Sequence, residues 1–287
     1  MNDLGIHALV WAGDTSETSV ERAILQTKLA GYDLLEFSLH DGFQSDPRKA
    51  GAALRAAGLG VACSRGLALD ADVSSEDPAV VQKGSELIAE SIETTQQLGG
   101  KTLTGALYGA FGKASAPLSS RGRANLVAAL RESAQGAADL GVSLGLEVCN
   151  RYETNVINTA ADALRLADEI GHDNVFVHLD VYHMNIEETD FVRPVQLVGQ
   201  RLGYVHIGEN HRGYLGSGHI DLPSFFRALA DIDYAGPITF ESFSSAVVME
   251  SLSTDLAIWR NLWSDGPALA RHALQTMRGL IEAATPR

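Results

Sequence analysis

The sequence predicts an α/β fold built as one (β/α)₈ barrel. Three observations predict it. A glycine recurs after helix-patterned stretches and just before short apolar runs. The runs contain β-branched or aromatic residues and read as strands buried on both faces. Eight such runs share 287 residues, about 36 per strand–helix unit, which suits a barrel of roughly 200 to 400 residues.

The elements follow in order. Residues 5–10 form the first apolar run. Gly31 closes a helical pattern at 23–30 and opens the run 32–35, which ends at Glu36. Gly58 and Gly60 precede 61–63, and Gly99 and Gly100 precede 102–104. Gly141 precedes 142–146, Gly171 precedes 174–179, Gly203 precedes 204–206, and Gly236 precedes 237–240. Each reads as a helix stop, because glycine takes the left-handed conformation without steric cost. Ser75-Glu76-Asp77-Pro78 and Asp221-Leu222-Pro223-Ser224 open helices with polar caps and early prolines. No linker divides the chain, so residues 1–287 are expected to form a single domain. An open doubly wound sheet would offer a glycine-rich phosphate loop after strand one; Trp11-Ala12-Gly13-Asp14 is no such loop.

Composition narrows the class. Hydrophobic residues make up 45% and charged residues 20%, enough to bury a core. Lys plus Arg number 22 against 36 Asp plus Glu, a net charge of −14, which opposes approach to nucleic acid. Cys63 and Cys149 form no disulfide framework, and free thiols in a reducing compartment are expected. The first residues lack a signal-peptide pattern, and no apolar run is long enough to span a bilayer. A soluble cytoplasmic protein without a membrane or nucleic-acid partner is the expectation.

Four metal-type ligands fall at the ends of four consecutive strands: Glu147, Asp180, His206 and Glu241, separated by 33, 26 and 35 residues. In a parallel barrel these ends share one rim, where active sites are built. Three carboxylates gathered in a partly buried mouth would repel one another and resist ionisation. A divalent cation removes that conflict. A hard, mostly oxygen donor set suits Mn²⁺, Mg²⁺ or Co²⁺ better than a structural zinc. Any one of the four alone reads as an ordinary strand-end polar residue; the set of four does not.

The segments around these residues carry a resemblance. They are Glu147-Val148-Cys149-Asn150-Arg151-Tyr152-Glu153, residues 179–188 (Leu179-Asp180 through Glu187-Glu188), and His206-Ile207-Gly208-Glu209-Asn210-His211-Arg212. Gly105-Ala106-Leu107 and Ile258-Trp259-Arg260 add to it. The chain resembles the ketose 3-epimerase family (D-tagatose, D-allulose and L-ribulose 3-epimerases), within the xylose-isomerase-like barrels, over nearly its whole length. The resemblance implies one divalent metal per subunit, Mn²⁺ foremost with Co²⁺ or Mg²⁺ as alternatives. It implies Glu147, Asp180, His206 and Glu241 as ligands, and Glu147 and Glu241 as the acid/base pair. It further implies a homodimer or homotetramer, and contact of Glu153, His183 and Arg212 with the C1–C3 oxygens of a ketose. Such an enzyme interconverts L-ribulose with L-xylulose, D-fructose with D-allulose, or D-tagatose with D-sorbose. Deprotonation and reprotonation at C3 would pass through a metal-stabilised enediolate.

Substrate recognition is where the sequence departs from its relatives. His7 stands where the family often has an aromatic residue, and Trp11 is kept. In the strand-four loop, Tyr108 to Lys113, Phe111 stands where relatives tend to have tryptophan. His7, Trp11, Cys63, Gly105, Tyr108 and Phe111 are the candidates for the far end of the sugar. Glu36 either reaches the rim or balances a local charge, and Arg65 is either a substrate residue or a salt-bridge residue. Val247, Val248, Met249, Leu252, Leu256, Trp259 and Trp263 form an apolar series, read as core packing or as a subunit interface. An aldose–ketose or hydroxypyruvate-type isomerase on the same barrel is the main alternative. A sugar-phosphate enzyme, an endonuclease-like barrel and a sugar-binding module that kept the metal site are the others.

Overall fold

The computed structural model of the chain describes residues 2–248 and 250–285, without the side chains of Ser251, Leu252 and Asp255. Met249 and the Leu252 side chain, two members of the apolar series, therefore lie outside the described residues. Eight parallel strands close into a barrel in sequence order: β1 Leu4–His7, β2 Leu34–Ser38, β3 Gly60–Ser64, β4 Thr102–Thr104, β5 Ser143–Glu147, β6 Val175–Asp180, β7 Leu202–Ile207 and β8 Ile238–Phe240. Pairing of β1 with β8, Gly5 opposite Thr239, closes the ring. The outer helices are α1 Glu17–Ala30, α2 Pro47–Ala57, α3 Pro78–Leu98, α4 Ser120–Asp139, α5 Ala160–Ile170, α6 Val181–Glu187, α7 Arg193–Val198, α8 Leu222–Asp231, α9 Glu250–Asp255 and α10 Gly266–Ala284.

The expected caps form. Asp77 accepts from the Ala79 amide with Pro78 in the first turn of α3, and Asp221 accepts from the Ser224 amide at α8. Thr159 and Asp162 make a reciprocal capping box at α5. Two expectations at strand ends are corrected. The first strand stops at His7, not Val10: the Leu9 amide donates to His7 Nδ1, and Ala8–Val10 turns into a 3-10 helix. Gly203 and Gly236 are not helix stops: Gly203 lies inside β7, where a Cβ would meet the Phe176 ring at 2.4 Å, and α8 already ends at Asp231, with Asp233 taking the positive φ.

The barrel interior is layered. At its floor Phe176 packs with Leu34, Ala62 and Tyr204 in a small apolar cluster of its own. Above it lies a buried polar layer of Glu36, Thr104, His178, Tyr204 and Thr239. Tyr204 donates to Glu36 Oε2 at 2.8 Å, and Thr104 Oγ1 pairs with His178 Nδ1 at 2.8 Å. The ligand-type side chains sit on top of this layer, at the carboxyl ends of the strands. Register sets them side by side: Asp180 pairs with His206, and Glu147 with His178. Among the described residues, no helix is long and apolar enough to cross a membrane.

Candidate metal centre and barrel mouth

Glu147 ends β5, Asp180 ends β6, His206 lies one residue before the end of β7, and Glu241 follows β8. Their ligand atoms all lie within 4.8 Å of one another. His206 Nδ1 is 3.2 Å from Glu147 Oε1 and 3.5 Å from Glu241 Oε2. Asp180 uses Oδ1 to accept the Tyr182 amide and start α6; its Oδ2 is buried with no hydrogen-bond partner. Three carboxylates and one imidazole nitrogen with a spare buried oxygen fit a divalent cation. Al four expected ligands are thus brought together.

Charge in the cluster is partly balanced by Arg212. Its guanidinium is 2.8 Å from Glu241 Oε2 and 3.3 Å from Asp180 Oδ2, and it stacks 3.9 Å over the Tyr182 ring. Burial penalises the Asp180 carboxylate, but Arg212, His183 and His206 outweigh it and hold its pKa below the usual value. Burial pushes Glu147 up, with Glu241 adding to the rise and His206 opposing it. Burial also opposes a charge on His206, yet Glu36, Glu241 and Glu147 raise its pKa well above the ordinary value. His178, buried beside it without a carboxylate in hydrogen-bond contact, is pushed well down and stays neutral.

His183 is held by Asn150, whose backbone amide (3.2 Å) and side-chain amide (2.8 Å) both meet His183 Nδ1. That leaves His183 Nε2 facing Asp180 Oδ2 at 3.6 Å and Glu153 Oε2 at 3.8 Å. Asn150 also donates to Glu153 Oε1 at 2.7 Å. Glu153 does not pair with Arg151, which instead forks onto Glu187. Asn150 was missed as a site residue, although it lies inside the 147–153 motif.

Two adjoining cavities open above the cluster. Glu153, Tyr182, Arg212 and Trp259 line one, and His7, Ser38, Ser64, Gly105, Phe111, Glu147 and Glu241 line the other. Phe243 and Leu256 border both. They pack with Leu9, Val248 and Ile258 in a small cluster over the mouth, so this part of the apolar series is local packing. Trp263 is buried beneath it, while Trp259 remains 72% exposed at the rim. Phe243 and Leu9 were also missed; they sit two residues beyond Glu241 and His7, which face the site.

Of the six candidates for the far end of the sugar, His7, Gly105 and Phe111 line the cavity. Gly105 has φ +111, and a Cβ there would meet the Arg65 carbonyl oxygen at 2.4 Å, so only glycine lets β3 and β4 approach. Trp11, Cys63 and Tyr108 are not on the walls, which corrects the expectation for them. Trp11 lies behind the wall, its indole donating to Thr27 Oγ1 of α1 at 2.9 Å. Cys63 points out of the barrel to Thr95 of α3, and burial pushes its thiol up to about 12. Tyr108 is buried, donating its hydroxyl to the Glu147 carbonyl oxygen at 2.7 Å. Both cysteines are free thiols. Arg65 donates to the Leu39 carbonyl and to Ser91 Oγ, tying β3 to the helix layer.

Residues 24–282 match the family described as the xylose isomerase-like TIM barrel. An L-ribulose 3-epimerase of Methylomonas sp. is 49% identical over 96% of each chain, and a ketose 3-epimerase of Arthrobacter globiformis is 46% identical over 98% of this chain and 97% of its own. The chain belongs to the ketose 3-epimerases of this barrel family. A crystal structure of D-allulose 3-epimerase from Methylomonas sp. in complex with D-allulose superposes with a TM-score of 0.95 at 48% identity, covering 97% of this chain and 96% of that one. Family membership and the convergence of the four ligand-type side chains agree.

Proposed function

We propose that the protein interconverts free ketoses that differ in configuration at C3, such as L-ribulose and D-allulose and their epimers. The observation that carries this reading is the placement of Glu147 and Glu241 at the ends of separate strands, both lining one cavity and both meeting His206 Nδ1. Glu147, Asp180, His206 and Glu241 would hold a divalent cation, Mn²⁺ before Co²⁺ or Mg²⁺. When bound, that ion supplies Lewis acidity at the oxygens beside C3, making the C3 proton easier to remove.

The chain's own groups do the rest. One of the two glutamates takes the C3 proton, and the electron pair of that C–H bond delocalises toward the C2 carbonyl oxygen. The other glutamate returns a proton to the opposite face, and the two exchange roles in the reverse direction. Arg212, His183 and Glu153 would hold the oxygens at the C1–C3 end, with Asn150 keeping His183 Nε2 pointed inward. His7 and Phe111 would face the distal carbons. A homodimer or homotetramer belongs to the same proposal, and the exposed Trp259 indole at the rim supports it.

The test uses metal-stripped protein reloaded with Mn²⁺ in D₂O and supplied separately with D-fructose, D-tagatose and L-ribulose. Metal-dependent deuterium at C3 together with the C3 epimer is the expected NMR result. Label at C1 or C2 with aldose product would move the protein to the isomerases, and no exchange with any free ketose would overturn the reading.

A further inference from the structure

Glu36 is a carboxylate in the barrel interior that the proposed chemistry does not use. It lies on β2, beneath the rim, and is completely buried. Its Oε2 sits 2.8 Å from His206 Nε2 and accepts the Tyr204 hydroxyl at 2.8 Å. Tyr204 is in turn hydrogen-bonded to Thr239 Oγ1 at 2.7 Å. Glu36 Oε1 has no hydrogen-bond partner; the His7 ring nitrogen Nε2 is 3.7 Å away. A buried carboxylate with one bare oxygen costs stability, and an apolar side chain of similar volume would remove that cost. Packing therefore does not explain Glu36. Its contact with His206 does.

The two nitrogens of His206 face different groups. Nδ1 meets Glu147 and Glu241, and Nε2 meets Glu36. A carboxylate at Nε2 keeps a proton there, so when a cation enters between Nδ1 and its carboxylates it is the Nδ1 proton that leaves and the Nδ1 lone pair that binds. We propose that Glu36 is a positioning residue that fixes the His206 tautomer and ring orientation, and so presents Nδ1 to the metal. Tyr204 and Thr239 hold Glu36 in place from below. The role rests on the metal reading above and extends it to a residue outside the ligand set.

The test measures Mn²⁺ binding to the full chain by EPR of the free aquo ion, at one pH, for the wild type, Glu36→Gln and Glu36→Ala. The alanine variant is expected to raise Kd roughly 10- to 100-fold. The glutamine variant should fall between, because its amide oxygen can still accept from Nε2–H. A second readout is ¹⁵N NMR of Mg²⁺-loaded, histidine-labelled wild type, where His206 should carry its proton on Nε2 and none on Nδ1. The Nε2–H resonance should lie far downfield through its bond to the Glu36 carboxylate and move upfield in Glu36→Gln, a signature that a merely structural role would not give. Kd values within twofold of wild type in the variants, or a proton on Nδ1, would overturn the role. If the alanine variant does not fold, the glutamine variant and the wild-type spectrum still decide. Wild type that binds no Mn²⁺ would remove the metal reading and the Glu36 role with it, an outcome distinct from unchanged Kd values.

Discussion

The two halves of the barrel mouth are built from different chemistry. Strands β5–β8 and the residues just beyond them supply Glu147, Asp180, His206, Glu241, His183 and Arg212, all but Glu147 and Arg212 buried to near zero or a few per cent. Strands β1–β4 and their loops supply His7, Ser38, Ser64, Gly105 and Phe111 to the cavity wall, with no carboxylate among the described lining residues from that half. One half concentrates charge, only partly balanced by Arg212, that the proposed cation and proton transfer would use. The other half shapes the space beside it. Changes in the first half should therefore act on the chemical step, and changes in the second on which ketose is accepted.

The largest effects test the first half. Glu147→Gln and Glu241→Gln keep shape and remove the exchangeable proton, so each should lower kcat by roughly 10³-fold or more. Exchange of the C3 proton into D₂O should fall with turnover. Near-normal kcat in either variant would remove that residue from the acid/base pair and break the contrast between the halves.

Arg212→Ala comes next. The guanidinium pairs with Glu241 and Asp180 and stacks on Tyr182. A close buried charge pair is worth about 1.5 kcal/mol or more, so kcat/KM should drop roughly 10-fold or more. Steady-state kinetics at saturating Mn²⁺ separates loss of substrate handling from loss of metal. An unchanged KM would show that Arg212 only balances charge.

The second half is tested by His7→Phe, which restores an aromatic residue at that position. His7 is neutral, since burial lowers its pKa, and its Nδ1 is occupied by the Leu9 amide, so it can offer only Nε2–H to the cavity. One neutral hydrogen bond is worth about 0.5–1.5 kcal/mol, or roughly 2- to 10-fold. The ratio of kcat/KM for L-ribulose to that for D-fructose should shift by that factor, with the C3 exchange mechanism intact. Equal scaling of both substrates would place His7 outside the recognition surface.

How much of this was legible follows the same division. The four ligands could be read because three acids and a histidine at four consecutive strand ends have no comfortable apolar explanation, and strand spacing alone brings them to one rim. Cys63 could not be placed without its register. On β3, Ala62 packs inside the barrel and Ser64 lines the cavity, so the residue between them points to the helices. Glu36 was visible as the end of an apolar run, but its partner His206 is 170 residues away, and no local pattern encodes that pairing. Leu256 was read as part of the apolar series after β8, but Phe243 lies ahead of that series and belongs to no periodic pattern. The strand-one boundary was missed because the side chain of His7 ends the strand by accepting the Leu9 amide, a local bond that apolar patterning does not register.

The smallest effect is expected where the sequence and the structure disagree most. Trp11 resembles a kept substrate-wall residue, yet its indole is buried behind the wall and bonded to Thr27 on α1. Trp11→Phe removes that buried hydrogen bond and some volume, a loss of about 1–3 kcal/mol of stability. Denaturant unfolding should record it as a lower midpoint with an unchanged slope. Thr27→Val should give a smaller loss of the same kind, because it removes the acceptor and leaves the indole in place. Neither change touches a group that lines the mouth, so kcat/KM should stay within about twofold for every ketose tested. A several-fold change in KM for Trp11→Phe, without one for Thr27→Val, would show that the indole reaches the sugar after all, and that β1 contributes more to recognition than His7 alone.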